Sequence, residues 1–296
     1  MNTTRPDWLD PALYPFAPHY QDVGPGRLHY VDEGGVDEGD GPPVVMVHGT
    51  PSWSFLYRHL IRDLAGEYRC VAPDHLGFGL SDKPKGFSYT PRAHAENLET
   101  FVSALGLKDI VLVVHDFGGP IGLSYALGHP ENVRAVVVLN SWLWPSEPLA
   151  RAAKLLGNPL GRTLYKRFNF SVEVLLRRAA FAEPKVLTQE VLRHYRGPFP
   201  TPASREPLWA LVESVGETNS WLETLWARRE AIADKPTLLL WGSKDKLVPL
   251  SFLDRWQGLF PQADVVKLDA GHFVQEEAAG EVGGAVRRFL ETLEQP

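Results

Sequence analysis

Six short runs of apolar residues recur along the chain, most of them rich in valine or leucine. Nearly all positions in each run are apolar, which is typical of strands buried on both faces of a parallel sheet. The predicted strands are Val44–Val47, Cys70–Ala72, Ile110–Val114, Ala135–Leu139, Thr237–Trp241 and Val265–Leu268.

Longer segments with helical spacing lie between these runs. In Arg92–Leu105, the side chains of Leu98, Phe101 and Val102 fall on one face of a helix. Ile121–Leu127 and Glu281–Leu293 are predicted helices as well. Strands that alternate with helices predict βαβ units with right-handed crossovers. We therefore expect an α/β fold with a mostly parallel central sheet and helices on both faces.

The alternation stops between about residues 142 and 230, where leucine-rich stretches with helical spacing are interrupted by prolines. We predict that residues 142–230 form a helical cap, inserted in a core made of residues 1–141 and 231–296. The acidic, glycine-rich segment 32–43 predicts a solvated turn between two early strands. The stretches predicted as cap helices contain Leu155 to Leu164, Val172–Phe181, Leu187–Tyr195 and Leu208–Val215.

Composition excludes several classes of protein. The chain has 296 residues, with 30 Lys and Arg against 36 Asp and Glu, and its net charge of −6 argues against a nucleic-acid partner. The single cysteine, Cys70, excludes an intramolecular disulfide and a multi-cysteine metal site. The chain has no apolar run long enough to cross a membrane and no secretory leader pattern. We expect a cytoplasmic monomer or homodimer that needs no metal or cofactor.

Polar residues follow the predicted strands at the edge where ligands of such sheets bind. Asp116 follows the third strand, Asp245 the fifth and His272 the sixth. This order of nucleophile, acid and histidine is that of the α/β-hydrolase fold, whose nucleophile lies on a sharp turn between strand and helix. Taken alone, each of these residues would more often be a cap, a turn residue or a surface histidine. The three together predict an active site.

Asp116 occupies the position that a serine holds in the G-x-S-x-G turn of many hydrolases. A carboxylate is already ionised at pH 7, so it can attack an sp³ carbon directly and form an ester on the enzyme. His272, oriented by Asp245, would then activate the water that hydrolyses this ester. The backbone N–H groups of Thr50 and Phe117 are the expected oxyanion donors. A serine esterase is disfavoured because no serine occupies the turn.

The sequence resembles the haloalkane dehalogenases and their epoxide-hydrolase relatives over about residues 14–142 and 235–290. The segments that carry the resemblance are YPFAPHY, LHYVDEG, HGTPSWSFLYR, APDHLGFGLSDKP, VVHDFGGPIGL, the Asn140 that ends VVVLN, WGSKDKLVP and DAGHFVQEE. The resemblance implies an α/β-hydrolase fold and a cofactor-free hydrolase that cleaves carbon–halogen bonds in small apolar substrates with water. It implies Asp116 as nucleophile, His272 as base and Asp245 as acid.

Two positions depart from the family pattern. Family members usually have a tryptophan directly after the nucleophile, which holds the departing halide, whereas this chain has Phe117. The residue after HG is Thr50, where the family often has asparagine. The candidates for the substrate and leaving-group pocket are Trp53, Asn140, Trp142 and Trp144.

The missing tryptophan keeps other functions open. Epoxide hydrolases of similar architecture protonate the leaving oxygen with lid tyrosines, for which Tyr165 and Tyr195 are the candidates. Relatives that act on β-lactones share the same Asp-His-Asp set. A ligand-binding protein on a hydrolase scaffold is the alternative that is not an enzyme.

Overall fold

The computed structural model describes residues 5–35 and 41–294 and contains one sheet of eight strands. The sheet has the order β1-β2-β4-β3-β5-β6-β7-β8. β2 runs antiparallel to β1 and β4, and every other neighbouring pair is parallel. The strands are β1 His19–Asp22, β2 Arg27–Glu33, β3 Val44–Val47, β4 Cys70–Pro73, β5 Ile110–Asp116, β6 Val133–Ser141, β7 Thr237–Gly242 and β8 Asp264–Leu268.

All six predicted strands are present, each shifted at its ends by two residues or fewer. β3, β4, β5 and β7 are buried along their whole length, as expected from their apolar runs. β1 and β2 lie at the antiparallel edge, and exposed and half-buried positions interrupt their apolar residues. Strands with one solvated face carry no continuous apolar run, so the valine pattern did not reveal these two.

Helices cover both faces of the sheet, and alternate residues of β3 show the two cores. Val44 and Met46 pack in one apolar cluster with helices α1 (Arg58–Leu64) and α11 (Ala279–Leu293). Val45 and Val47 pack in the other cluster with helices α2 (Pro91–Ala104) and α3 (Gly118–Gly128). The core helices are α1 Arg58–Leu64, α2 Pro91–Ala104, α3 Gly118–Gly128, α9 Ser251–Leu259, α10 Val274–Glu277 and α11 Ala279–Leu293. Short 3₁₀ turns occupy Ser54–Tyr57, Pro130–Asn132 and Arg229–Ile232.

Five α-helices and one π-helical segment lie between β6 and β7, and we refer to them as the inserted helices. They are α4 Glu147–Leu156, α5 Pro159–Phe168, the π-helical segment Ser171–Ala180, α6 Gln189–Arg196, α7 Glu206–Glu213 and α8 Val215–Ala227. Polar side chains of Ser146, Asn158 and Thr188 cap three of these helices at their N-termini.

The acidic segment 32–43 is described only in part, because residues 36–40 lie outside the described residues. Asp32 and Glu33 are the last two residues of β2. The Asp32 carboxylate accepts two hydrogen bonds from the Arg69 guanidinium, at 2.8 and 2.7 Å. The acidic run therefore begins inside the sheet and not in a solvated turn.

Candidate active site

Asp116 ends β5 in a conformation that few residues other than glycine adopt. Its φ of 53° lies in the left-handed region, which costs a non-glycine residue free energy and is found most often at functional sites. The pairing between β5 and β6 shifts by one residue at this point. The Ser141 hydroxyl donates to the Asp116 carbonyl at 2.6 Å and holds the turn. The carboxylate therefore projects from the strand end just before α3 begins.

Two glycines allow the chain to pass closely around this turn. A Cβ on Gly49 would lie 2.2 Å from Oδ1 of Asp116, and a Cβ on Gly118 would lie 2.0 Å from the carbonyl of Val47. Since Gly49 brings the backbone against the carboxylate, the next amide, that of Thr50, donates to Asp116 Oδ1 at 2.9 Å. Phe117 precedes the first residue of α3. The structure thus places the Thr50 amide, one of the two predicted oxyanion donors, on the Asp116 carboxylate, and Phe117 is the next residue along the chain.

Two buried histidines hold the loop that carries the Thr50 amide. Burial lowers the pKa of His48, so its ring is neutral and carries one proton. Nε2 of His48 accepts from the His75 amide at 2.9 Å, which leaves Nδ1 to donate to the Gly49 carbonyl at 2.7 Å. Nε2 of His75 donates to the His48 carbonyl at 2.9 Å. This reciprocal pair orients the Gly49–Thr50 peptide.

His272 lies between the two predicted carboxylates. Its Nε2 is 3.2 Å from Oδ2 of Asp116, and its Nδ1 is 2.7 Å from Oδ2 of Asp245. The ring of His272 is fully buried, and the side chain of Asp116 is 9% exposed. The structure therefore brings together three residues that lie 27 to 156 positions apart in the sequence.

Hydrogen bonds fix Asp245 on both of its carboxylate oxygens. The backbone N–H groups of Leu247 and Val248 donate to Oδ1 at 2.7 and 3.0 Å. The Asn140 side chain donates to Oδ2 at 2.6 Å, and its own oxygen accepts from the Gly242 amide at 2.9 Å. Both ends of the Asn140 amide are thus occupied. Asn140 therefore supports Asp245 and does not line the cavity described below, although the sequence predicted it as a residue of the substrate pocket.

The charges of Asp245, His272 and Asp116, which form a continuous row, stabilise one another. Burial alone would lower the pKa of His272, but the Asp245 and Asp116 carboxylates outweigh it and raise that pKa to about 10. Burial alone would raise the pKa of Asp245, yet its ion pair with His272 and its N–H donors lower it. At neutral pH His272 is therefore a cation paired with Asp116 and Asp245.

A cavity of about 140 Å³ lies between the core and the inserted helices, and its lining includes Phe117, the residue after Asp116, and Thr50, whose amide binds Asp116. Thr50 and Phe117 form its core side. The inserted helices contribute Ala152, Ala153, Leu156, Tyr165, Ser171, Leu208, Leu211, Val212 and Val215. A larger open groove of about 810 Å³ runs along α2 and α3, and neither Thr50 nor Phe117 lines it. The small apolar cavity is therefore the one whose walls include neighbours of Asp116.

Three of the residues that line this apolar cavity carry a hydroxyl group, namely Thr50, Tyr165 and Ser171. The Thr50 hydroxyl is buried without a hydrogen-bond partner among the described residues. Burial raises the pKa of Tyr165, so its hydroxyl stays protonated. The apolar residues from α4 and α7 gave no distinguishing signal in the sequence, because pocket-lining and core-packing leucines have the same helical spacing.

The tryptophans singled out in the sequence occupy different surroundings. Trp142 packs edge-on against Phe117, with ring centroids 5.0 Å apart. Trp53 is fully buried and donates its indole N–H to the His194 carbonyl at 3.0 Å. Trp144 packs among Trp226, Phe252 and Trp256. Only Trp142 of these three contacts the cavity wall at Phe117.

Tyr165 and Tyr195 are also placed differently. Tyr165 lines the cavity. Tyr195 donates its hydroxyl to the buried Glu276 carboxylate at 2.5 Å, so it does not face the same space. Within residues 5–35 and 41–294, no cluster of three His, Cys, Asp or Glu residues could hold a metal ion. Across the same residues, no helix combines the length and apolar character needed to cross a membrane.

Comparison with known proteins defines the class. The family described as "alpha/beta hydrolase fold" matches residues 42–279. The chain is 39% identical over 282 residues to haloalkane dehalogenase 2 of Mycobacterium tuberculosis, covering 94% of this chain and 96% of that one. It is 35% identical over 296 residues to the cis-3-alkyl-4-alkyloxetan-2-one decarboxylase of Shewanella oneidensis, covering 96% of this chain and 91% of that one.

A solved structure shows the same architecture. The haloalkane dehalogenase DatA of Agrobacterium tumefaciens superposes with a TM-score of 0.83 at 27% identity, covering 96% of this chain and all of that one. Fold and sequence together define an α/β hydrolase. Within that class the chain belongs to the haloalkane dehalogenase family, and it is a hydrolase with the fold predicted from its sequence.

The close approach at Gly49 can be tested by adding a single methyl group. Gly49→Ala is expected to displace the Asp116 carboxylate and to lower the turnover of brominated alkanes about 100-fold, because small misplacements of reacting groups have effects of this size. The matched control is Gly66→Ala, since Gly66 has open space around its Cα. Equal activity of the two variants in a halide-release assay would contradict the assigned geometry.

Proposed function

We propose that this chain cleaves carbon–halogen bonds in small apolar molecules through a covalent ester on Asp116. The observation that carries the proposal is the continuous row Asp245–His272–Asp116, whose last residue is flanked by Thr50 and Phe117 of a small apolar cavity. We further propose that residues 142–230 act as a cap over the core. This division is supported by the cavity, whose walls come from the inserted helices on one side and from Thr50 and Phe117 on the other.

In the first step, the Asp116 carboxylate attacks the sp³ carbon that bears the halogen. Oδ1 is held by the Thr50 amide, so Oδ2 is the oxygen that forms the new bond. The carbon–halogen bond breaks and its electron pair leaves with the halide. The product of this step is an alkyl ester of Asp116 and a halide ion. No proton is transferred in it, so the charge state of His272 is not decisive.

In the second step, water attacks the carbonyl carbon of the ester. His272 accepts a proton from this water, and Asp245 stabilises the resulting imidazolium. Negative charge develops on Oδ1, where the Thr50 and Phe117 N–H groups stabilise it. Collapse of the tetrahedral intermediate releases the alcohol and restores the Asp116 carboxylate. The hydroxyl proton of the intermediate goes to the departing alkoxide, and the proton taken from water stays on His272, which restores the cation of the free enzyme. The one excess proton of the cycle leaves His272 before hydrolysis, when esterification of Asp116 lowers its pKa.

The charge change on Asp116 prepares His272 for this role. While Asp116 is ionised, burial is outweighed by the two carboxylates and the pKa of His272 is about 10, so the ring is protonated and cannot act as a base. Esterification removes the Asp116 charge and the acceptor at 3.2 Å. The pKa of His272 then falls, since one of the two groups that raise it is gone. The base thus becomes available after the ester has formed.

The leaving halide must be stabilised without an indole donor at position 117. Phenylalanine has no donor, whereas Thr50 and Tyr165 both line the cavity, and the buried Thr50 hydroxyl has no hydrogen-bond partner within residues 5–35 and 41–294. We assign these two hydroxyls as the leaving-group donors. Trp142, in edge contact with Phe117, packs the wall behind them.

A β-lactone is the second candidate substrate, and the relatives named as oxetanone decarboxylases support it. In a lactone the leaving carboxylate is part of the ring, so cleavage of a lactone depends less on donors to the leaving group than cleavage of a haloalkane does. An epoxide is the third candidate, with Tyr165 as the proton donor to the leaving oxygen. A ligand-binding role without catalysis has little support, because the full Asp-His-Asp row is retained. A cytoplasmic location and a monomeric or homodimeric state stay predictions from the sequence.

Replacing the proposed base tests the covalent mechanism. His272→Phe is expected to permit the first step and block the second, so that intact-mass spectrometry finds one alkyl group added to Asp116 after incubation with a brominated alkane. The control, Asp116→Asn in the same background, should carry no adduct. The proposal fails if native enzyme turns over the substrate in H₂¹⁸O without incorporating the label into the Asp116 carboxylate.

The pH dependence follows from the pKa of His272. Hydrolysis of the ester requires a neutral ring, so its rate constant is expected to rise with pH and level off at a pKa below the value of about 10 in the free enzyme. At low pH, ester formation should outrun hydrolysis and give a burst of halide in rapid-mixing experiments. A hydrolysis rate constant that is flat from about pH 5 to pH 10 would contradict this role for His272.

The missing indole donor can be restored. Phe117→Trp is expected to speed halide release from brominated alkanes by about 10-fold or more, because a donor aimed at developing charge is worth that much or more. Phe117→Leu, which also lacks a donor, is the matched control. Equal rates for the Trp and Leu variants would argue that the leaving-group donors lie elsewhere.

A panel of brominated alkanes, epoxides and β-lactones, scored for halide, diol, acid and carbon dioxide, identifies the substrate class.

A further inference from the structure

The carboxylate of Glu277, the last residue of α10, accepts hydrogen bonds from backbone amides in two separate parts of the chain. Its Oε1 accepts from the Gly271 amide at 2.8 Å, directly before His272. Its Oε2 accepts from the amides of Ala182 and Glu183 in the cap, at 2.9 and 2.7 Å. Hydrogen bonds to an ionised acceptor are stronger than neutral ones. One carboxylate therefore joins the loop that carries His272 to the cap.

The main chain of His272 is itself held from both sides. Its N–H donates to the Ala180 carbonyl of the cap at 2.7 Å. Its carbonyl accepts from Nε2 of His115 at 2.9 Å. Burial and the neighbouring His272 lower the pKa of His115 to about 3, so the His115 ring is neutral and its single proton lies on Nε2. The position of His272 thus depends on the cap as well as on β5.

Gly271 shows how closely the two segments approach. A Cβ at this position would lie 2.6 Å from the Ala180 carbonyl oxygen and 2.7 Å from the Ala182 nitrogen. Phe181 and Phe273 stack beside this contact, with ring centroids 5.3 Å apart and planes inclined by 25°. The loop and the cap segment therefore pack backbone against backbone, and Glu277 bridges their amides.

A second buried carboxylate fixes the helix that presents Glu277. Glu276 accepts a bidentate pair from Arg58, at 2.6 and 2.7 Å, and a further bond from Tyr195 of the cap at 2.5 Å. Arg58 and Tyr195 are fully buried or nearly so, and the Arg58 guanidinium lies 3.9 Å from the centre of the Phe55 ring. α10 is thereby anchored to α1 and α6, which leaves Glu277 little freedom to turn away.

From this geometry we infer that Glu277 is a positioning residue, which couples the cap to His272 and so sets the rate of ester hydrolysis. The inference rests on the proposed role of His272 as the base. Ala180 ends the π-helical segment that begins at the cavity-lining Ser171, so one short segment connects the cavity wall to the base. Asp116 contacts His272 too, but Thr50 and Ser141 hold it independently of the cap, so we expect ester formation to depend much less on Glu277 than hydrolysis does.

The test is Glu277→Ala, with the exposed Glu281→Ala in α11 as the matched control. Both are reacted with bromobutane, quenched at short times and analysed by intact mass for the ester on Asp116. For Glu277→Ala the hydrolysis rate constant is expected to fall by about 10- to 100-fold, since a misplaced base has an effect of this order. Ester formation should stay within about two-fold of native, so the ester accumulates. The pH profile of hydrolysis should shift to lower pH, because His272 moves away from Asp245.

Glu277→Gln provides the conservative comparison, since it keeps one acceptor oxygen and the shape of the side chain. Its hydrolysis rate constant is expected to lie between those of Glu277→Ala and native enzyme. Glu281→Ala should match native enzyme in both steps.

Two results would overturn the inference. One is an unchanged hydrolysis rate constant and pH profile in Glu277→Ala, or in Glu277→Gln where the alanine variant does not fold. The other is a parallel loss of both steps in proportion to the loss of folded protein. An absence of ester even in His272→Phe would overturn the proposed function itself, and the two failures are thus distinguishable.

Discussion

One buried cation between two carboxylates is the arrangement on which the rest of the site depends. Asp116, His272 and Asp245 are at most 9% exposed, and two negative charges flank one positive charge. Charges in such a place are stable only when they are paired and hydrogen-bonded, and removal of one partner typically costs about 3–5 kcal/mol. The excess negative charge is met by the Thr50 amide on Asp116 and by the Leu247 and Val248 amides and the Asn140 side chain on Asp245.

These donors come from the ends of different strands, so the sheet itself sets the geometry. The loop after β3 provides Thr50, β5 ends at Asp116, β6 provides Asn140 and Ser141, and Asp245 follows β7. Because neighbouring strands from β4 to β8 are parallel, their carboxyl ends meet at one edge. A shift of register in any pair would separate a charge from its donor. The apolar runs thus secure the polar site as well as the core.

The sequence predicts β3 to β8 and the three charged residues because both leave local signals, whereas the solvated edge strands β1 and β2 do not. Continuous apolar runs marked the buried strands, and Asp116, Asp245 and His272 each stand where a strand ends. Asn140 stands at a strand end too, but whether its amide faces a cavity or Asp245 depends on tertiary contacts. Trp53 is similar, since its indole partner, the His194 carbonyl, lies 141 residues away. Glu276 and Glu277 follow His272 closely, yet their partners between β6 and β7, namely Tyr195, Ala182 and Glu183, cannot be predicted from spacing.

The two steps of the proposed mechanism draw on different parts of the molecule. The groups proposed for hydrolysis of an Asp116 ester, namely His272, Asp245 and the amide donors, belong to the core, and the loop of His272 is also hydrogen-bonded to the inserted segment at Ala180 and, through Glu277, at Ala182. Stabilisation of the leaving group falls to the cavity, whose lining is apolar apart from a few hydroxyls such as those of Thr50 and Tyr165. Charge that develops in an apolar space without donors is costly. On the proposed mechanism, the first step therefore determines which substrates are accepted, and we expect the cavity to favour those whose leaving group tolerates two hydroxyl donors in place of an indole.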